Sequence, residues 1–256
     1  MRLAIFGLFL LFFNALCIAG TIDKDNSDKE YLDYGSKHEC VLKLVGHMAD
    51  PLNRAYSGSC VIIDPYHVVT AAHVVAQGLS HMVIHNGKAY YAHVVVIHSE
   101  WEAGVMDKND IAVIRLMSPI KLDFYPKLYK KNDELKKVCS ISGYGYSGTL
   151  SSGYDRNKFD NKKRAGSNIV SRSRGNLLVC SSTDNATSLE FLITPGDSGG
   201  GLFIDNKLAG INSCVFSTDG DADSDYGDES GHTRISDYAD WIEHAQINIE
   251  KLINSD

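Results

Sequence analysis

Short runs of β-forming residues, arriving in two groups of about six and closed by Gly, Asn, Asp or Pro, restrict what this chain can fold into more than any other feature. The first group covers residues 41–45, 59–63, 67–70, 81–84, 92–97 and 111–116. The second follows a lysine-rich turn at 127–137 and covers 137–142, 176–180, 201–204, 207–211 and 233–235. Strands this short and numerous imply an all-β fold built as a pair of barrels. One helix is expected, at the end of the chain. There Ser236 can cap, Asp237 and Asp240 suit the positive first turn, and Ile242, Ala245, Ile249 and Ile253 recur at helical spacing. With 256 residues, 44% of them hydrophobic and 22% charged, the chain can bury a full core without metals or a dense disulfide net. Residues 147–175, rich in Ser, Gly, Asn, Lys and Arg, read as a mobile surface loop, and the Lys162-Lys163-Arg164 run within it as a solvated face.

Residues 1–19 combine one basic residue, an apolar stretch and a terminal small residue, the layout of a secretory signal cut after Ala19. Secretion implies an oxidising compartment. The cysteines left are Cys40, Cys60, Cys139, Cys180 and Cys214, an odd set from which disulfides are expected, though not for every member. None forms a Cys-x-x-Cys pair, which argues against structural zinc. Residues 20–35 are polar and acidic and are expected to form a linker or short pro-segment, and Asn185-Ala186-Thr187 is a glycosylation sequon. A net charge of -7 argues against a general nucleic-acid or anionic-membrane binder, which needs a basic field.

One constellation carries chemistry. Acyl transfer by a hydroxyl needs a base to activate it, a group to orient the base, and donors for the oxyanion. Gly196-Asp197-Ser198-Gly199-Gly200 places a serine among glycines, so the backbone can turn sharply and aim consecutive N–H groups at one point. Such a pentapeptide arises by chance in on the order of 1 in 3,000 chains of this length, so it needs company to be persuasive. Thr70-Ala71-Ala72-His73 sets a histidine just past a buried-type strand, and Asn109-Asp110-Ile111-Ala112 opens another strand with a carboxylate. The chain order His73, Asp110, Ser198 is one of the known solutions to this geometry.

These motifs, together with Gly143-Tyr144-Gly145 and with Gly231-His232-Thr233-Arg234-Ile235 running into Asp240-Trp241-Ile242, make the chain from about Ser36 onward resemble the chymotrypsin-like (trypsin family) serine peptidases. The resemblance implies two antiparallel β-barrels of about six strands each, at 36–130 and 131–235, with the active site between them and a C-terminal helix at 236–253. It implies Ser198 as nucleophile, His73 as general base and acid, and Asp110 as its orienter. It also implies the N–H groups of Gly196 and Ser198 as oxyanion hole and Ser213 as support for Asp110. A secreted, monomeric endopeptidase acting on protein or peptide substrates follows, with no cofactor, metal or nucleic acid and no stable membrane association after signal removal. A catalytically silent homologue used as a binding module is the alternative.

The chain departs from the family in three places, and in its body it resembles bacterial members more than digestive ones. Val74 follows the base, Cys60 is displaced toward it, and Ile204 and Thr194 stand where cysteines are usual, which leaves the disulfide pairing open. In zymogen members the aspartate before the serine, here Asp197, pairs with a freshly cut apolar terminus. After Lys24, Lys29 and Lys37, however, come Asp25, Glu30 and His38. Another amine, an internal Lys or Arg, or a different activation is therefore expected, since a buried unpaired carboxylate costs several kcal/mol. In the specificity pocket Leu192 replaces the trypsin-type aspartate, Val215 lies in the wall, and His232 resembles a histidine of glutamate-specific relatives. The acidic loop from Asp219 to Glu229 lies at the pocket's far wall in this fold, so basic, apolar and acidic preferences all stay open.

Overall fold

The computed structural model describes residues 20–48, 52, 54–76, 78–105, 108–182 and 187–255. The signal segment and Asn185 lie outside the described residues. The chain opens with β1 (Gly20–Ile22) and α1 (Asp28–Ser36). Next come β2 (Val41–Met48), β3 (Ala55–Ile62), β4 (His67–Thr70), the short helix α2 (Ala72–Val75), β5 (Gly78–His85), β6 (Lys88–Ile97) and β7 (Ala112–Leu116). The second half holds β8 (Val138–Gly143), β9 (Ser147–Thr149), β10 (Gly153–Asp155), β11 (Arg164–Arg174), β12 (Leu177–Ser181), β13 (Phe191–Leu192), β14 (Gly201–Ile204), β15 (Lys207–Phe216), β16 (Glu229–Arg234) and α3 (Ile235–Ile253).

Two closed antiparallel barrels result, in the orders β2-β3-β4-β7-β6-β5 and β11-β12-β16-β15-β14-β8. Their tight hairpins are written in the turn residues. Asn86-Gly87, at φ 49 and 73, joins β5 to β6 with His85 opposite Lys88, and Asp205-Asn206, at φ 51 and 59, joins β14 to β15. Leu44, Val61, Val69, Val83 and Ile114 belong to the first core, and Ile141, Val170, Leu178, Leu202 and Ala209 to the second. Helix α3 leaves the second barrel but packs Ile235, Tyr238, Ile242, Ala245 and Ile249 into the first barrel's cluster. Its Gln246 donates to Asp64 at 2.6 Å. Ser236 does not cap: the helix starts at Ile235, and the Ser236 hydroxyl donates to Glu134 at 2.7 Å. Among the described residues no helix is long and apolar enough to cross a membrane.

Four expectations are corrected here. Residues 20–35 are not a free linker: β1 lies between β13 and β9 in a small sheet, and α1 packs on β11. The cause is Arg164, fully buried, whose Nε and Nη2 reach the Asp28 carboxylate at 2.6 and 3.0 Å, and which also bonds Asp160. Residues 164–174 are accordingly a barrel strand rather than part of a surface loop. Of the basic run only Lys162 is solvated, because Lys163 Nζ is held by the carbonyls of His38 and Val41 at 2.6 and 2.9 Å. Finally, among the described residues no disulfide joins any of Cys40, Cys60, Cys139, Cys180 and Cys214. Cys139 and Cys180 touch at 3.7 Å between sulfurs, but they sit on β8 and β12, which flank β11 rather than each other.

Candidate active site

The first barrel supplies a histidine and a carboxylate. His73 lies in α2, just after β4 ends, with Val74 and Val75 buried beneath it and its own side chain 39% exposed. Asp110 precedes β7 and is turned inward by Asn109, whose φ of 54 is tolerable for asparagine. That conformation is held by Asn109 Nδ2 on the Glu100 carbonyl and by the Tyr238 hydroxyl on Asn109 Oδ1. Asp110 Oδ2 meets His73 Nδ1 at 2.7 Å and accepts the Ser213 hydroxyl at 2.6 Å, while Oδ1 accepts the His73 backbone N–H at 2.9 Å. Burial acts to raise the Asp110 carboxyl, but the bonds from His73 and Ser213 outweigh it and hold the group below the usual carboxylate range. A carboxylate only accepts, so in the neutral imidazole Nδ1 carries the proton and Nε2 presents a lone pair.

The second barrel supplies the serine. Ser198 sits in the turn before β14, between Gly196 at φ 99 and Gly199 at φ 84. A Cβ on Gly199 would meet Ser59 O and Thr70 Oγ1 at 2.1 Å, so glycine is required there. His73 and Ser198 line one cleft of about 250 Å³ with Gly196, Tyr56 and Pro195. Among the described residues no hydrogen bond joins His73 Nε2 to Ser198 Oγ, and the N–H groups of Gly196 and Ser198 have no intramolecular acceptor.

Asp197 is fully buried. Its carboxylate accepts the Gly145 N–H at 2.7 Å and the Thr194 N–H at 2.9 Å, and it forms no salt bridge among the described residues. Burial dominates these bonds and pushes it up to about 6. The amide of Gly20 comes into the same pocket. It donates to the Tyr146 carbonyl at 2.7 Å, which Thr194 Oγ1 also reaches at 2.5 Å, and that oxygen lies 3.2 Å from Asp197 Oδ2. Glycine is demanded at position 20, because φ is 69 and a Cβ would strike the Phe191 ring at 2.1 Å. A signal cut after Ala19 exposes this residue, but no sequence pattern linked it to Asp197, and cleavage sites after basic residues pointed elsewhere.

The expected specificity residues are less of a set. Leu192 is fully buried and paired with Thr21, and Val215 is half-buried against the second core. His232 is buried with its Nδ1 on Asn212 Oδ1 at 2.9 Å and its Nε2 on Ser230 Oγ at 3.1 Å. Asn212 Nδ2 is committed to the carbonyls of Ser142 and Asp197, so Oδ1 must be the acceptor and Nδ1 the protonated nitrogen of His232. Burial drives this imidazole down to about 3, so it is neutral and offers no charge to an acidic side chain. In the acidic loop, Asp223, Asp225 and Asp228 bring oxygens within 4.8 Å of one another.

A Trypsin family model matches residues 38–242. A comparison with curated proteins finds no match. Among solved structures the chain resembles HL collagenase, at TM-score 0.66 and 21% identity over 90% of this chain and 98% of that one. It also resembles neuropsin, a serine protease of mouse brain, at 0.64 and 20% over 83% and 96%. A scabies mite inactivated protease paralogue aligns at 0.63 and 17% over 82% and 95%. The likeness to these structures is one of fold, and with a family model spanning most of its length the chain belongs to the trypsin family.

Proposed function

We propose that this chain is a secreted serine endopeptidase working through His73, Asp110 and Ser198. The observation that carries the reading is the Asp110–His73 pair, which puts the proton of the neutral imidazole on Nδ1 and turns the Nε2 lone pair to the cleft that Ser198 shares. Ser198 Oγ attacks the substrate carbonyl while His73 Nε2 takes its proton. The tetrahedral oxyanion is bound by the N–H groups of Gly196 and Ser198. His73 then protonates the leaving amine, and water resolves the acyl-enzyme by the same steps in reverse. Ser213 keeps Asp110 ionised and aimed. The inactivated paralogue shares the fold, so the side chains and not the fold argue for activity. Of the three substrate preferences the acidic one loses its support, because His232 is neutral and both its nitrogens are occupied.

The signal cut after Ala19 also answers the missing partner of Asp197. It converts the buried Gly20 amide into an ammonium linked to that carboxylate through the Tyr146 carbonyl and the Thr194 hydroxyl. Intact mass before and after a fluorophosphonate probe tests both points. A single adduct on a Gly20-terminated chain, absent in Ser198→Ala, is the expected result. No adduct on the folded, trimmed protein refutes the peptidase reading in favour of a silent binding module.

A further inference from the structure

We propose that Ser59 is a positioning residue for the oxyanion site, a role that rests on the peptidase reading above. The two N–H groups facing the cleft belong to the peptides 195–196 and 197–198. In a trans peptide the C=O and N–H point in opposite directions, so whatever holds the carbonyl aims the donor. Pro195 O accepts the Tyr146 N–H at 2.9 Å. Asp197 O has two donors, Gly200 N–H at 2.9 Å and Asn212 Nδ2 at 3.1 Å. The peptide between them, 196–197, has one bond at each end: the Asp197 N–H donates to the Thr194 carbonyl at 2.9 Å. Its carbonyl, Gly196 O, accepts the Ser59 hydroxyl at 2.9 Å and has no second donor among the described residues.

Ser59 is built for that bond. The Tyr144 N–H donates to Ser59 Oγ at 3.0 Å, which leaves the hydroxyl proton for Gly196 O. The Ser59 backbone N–H donates to Ser198 O at 2.8 Å. One residue of β3, fully buried, therefore holds the carbonyls of both residues whose N–H groups face the cleft. Gly196 has no side chain to restrain it, so its two torsions depend on the bonds at either side. Without the hydroxyl, Gly196 O and Tyr144 N–H are both left unpaired in a half-buried place. Turning the 196–197 peptide re-pairs Gly196 O elsewhere at the expense of the Asp197 N–H bond to Thr194 O, and misaims the neighbouring donor.

The test compares wild type with Ser59→Ala and with the isosteric pair Ser59→Thr and Ser59→Val, which share a shape and differ in the hydroxyl. Turnover of a peptide anilide is measured beside inhibition by a peptide aldehyde, whose hemiacetal oxygen occupies the oxyanion site, and by the matching alcohol, which has none. Urea unfolding establishes that each variant is folded. We expect kcat to fall at least about tenfold in Ser59→Ala with KM within about twofold. Aldehyde affinity should fall in step, with the alcohol unaffected, and the threonine variant should exceed the valine one by a similar factor. If wild type turns over while kcat in a folded Ser59→Ala stays within about twofold of it, or if threonine and valine behave alike, the assignment of Ser59 is overturned and the peptidase reading stands. An inactive wild type overturns that reading, and the role of Ser59 with it.

Discussion

Blocking the amino group of Gly20 should make the protein's stability depend on pH in a way the free terminus does not. In the unprocessed chain Asp197 is buried against neutral donors, and its carboxyl rises from the ordinary 3.8 to about 6. Because the folded value lies above the unfolded one, the cost of burying the carboxylate is absent below pH 4. It grows between 4 and 6 and is complete above 6. A shift of about two units at 1.36 kcal/mol each amounts to about 3 kcal/mol. A Gly20 ammonium in the same pocket favours the ionised form and removes most of that cost. The comparison is between the Gly20-terminated protein and one extended by a single methionine, each unfolded in urea from pH 3.5 to 7.5. Every other carboxylate is common to both, so the difference isolates this pocket. With a urea slope of roughly 2–3 kcal/mol/M, the extended form should unfold about 1 M earlier at pH 7 and coincide with the free form near pH 4. A difference that stays flat across the range would refute the pairing of Gly20 with Asp197.

Two further outcomes follow from the geometry. Arg164→Met strands the Asp28 carboxylate in a buried position, so urea unfolding should show a loss of about 3–5 kcal/mol, with α1 more open to hydrogen exchange. Asp110→Asn keeps the shape of the site but sets a donor against His73 Nδ1 and disfavours the protonated imidazole, so kcat should drop about ten-thousandfold in a protein of unchanged stability.

The two barrels were legible because their inward residues are mostly β-branched and their hairpins use the residues that left-handed turns demand. The motifs of the candidate site were legible because His73, Asp110 and Ser198 sit at the ends of strands. Strand β11 was not, since its buried face carries Arg164, Gly166 and Asn168, a pattern that reads as solvated until the partners of Arg164 are known. The helix α1 hid for the reciprocal reason. Its acidic residues include Asp28, the partner of that arginine, and Glu30, which accepts both the N–H and the hydroxyl of Ser27. Strand β1 is three residues long and has no periodicity to find. Ser59 carries no local sign at all; its neighbours 196 and 144 are remote in sequence, and only the closure of one barrel against the other brings them together.

The crossing of α3 onto the first barrel also fixes when the candidate site can be complete. Synthesis runs from the amino end, so His73 and Asp110 emerge well before the segments that complete their surroundings. The Asp110 carbonyl waits for Thr233, the outer face of the first barrel waits for α3, and β1 waits for Phe191 and Leu192. A nascent chain therefore has a histidine and a carboxylate but no finished cleft around them. The direction of synthesis itself puts completion of the candidate site last, and it arrives with the final helical turns.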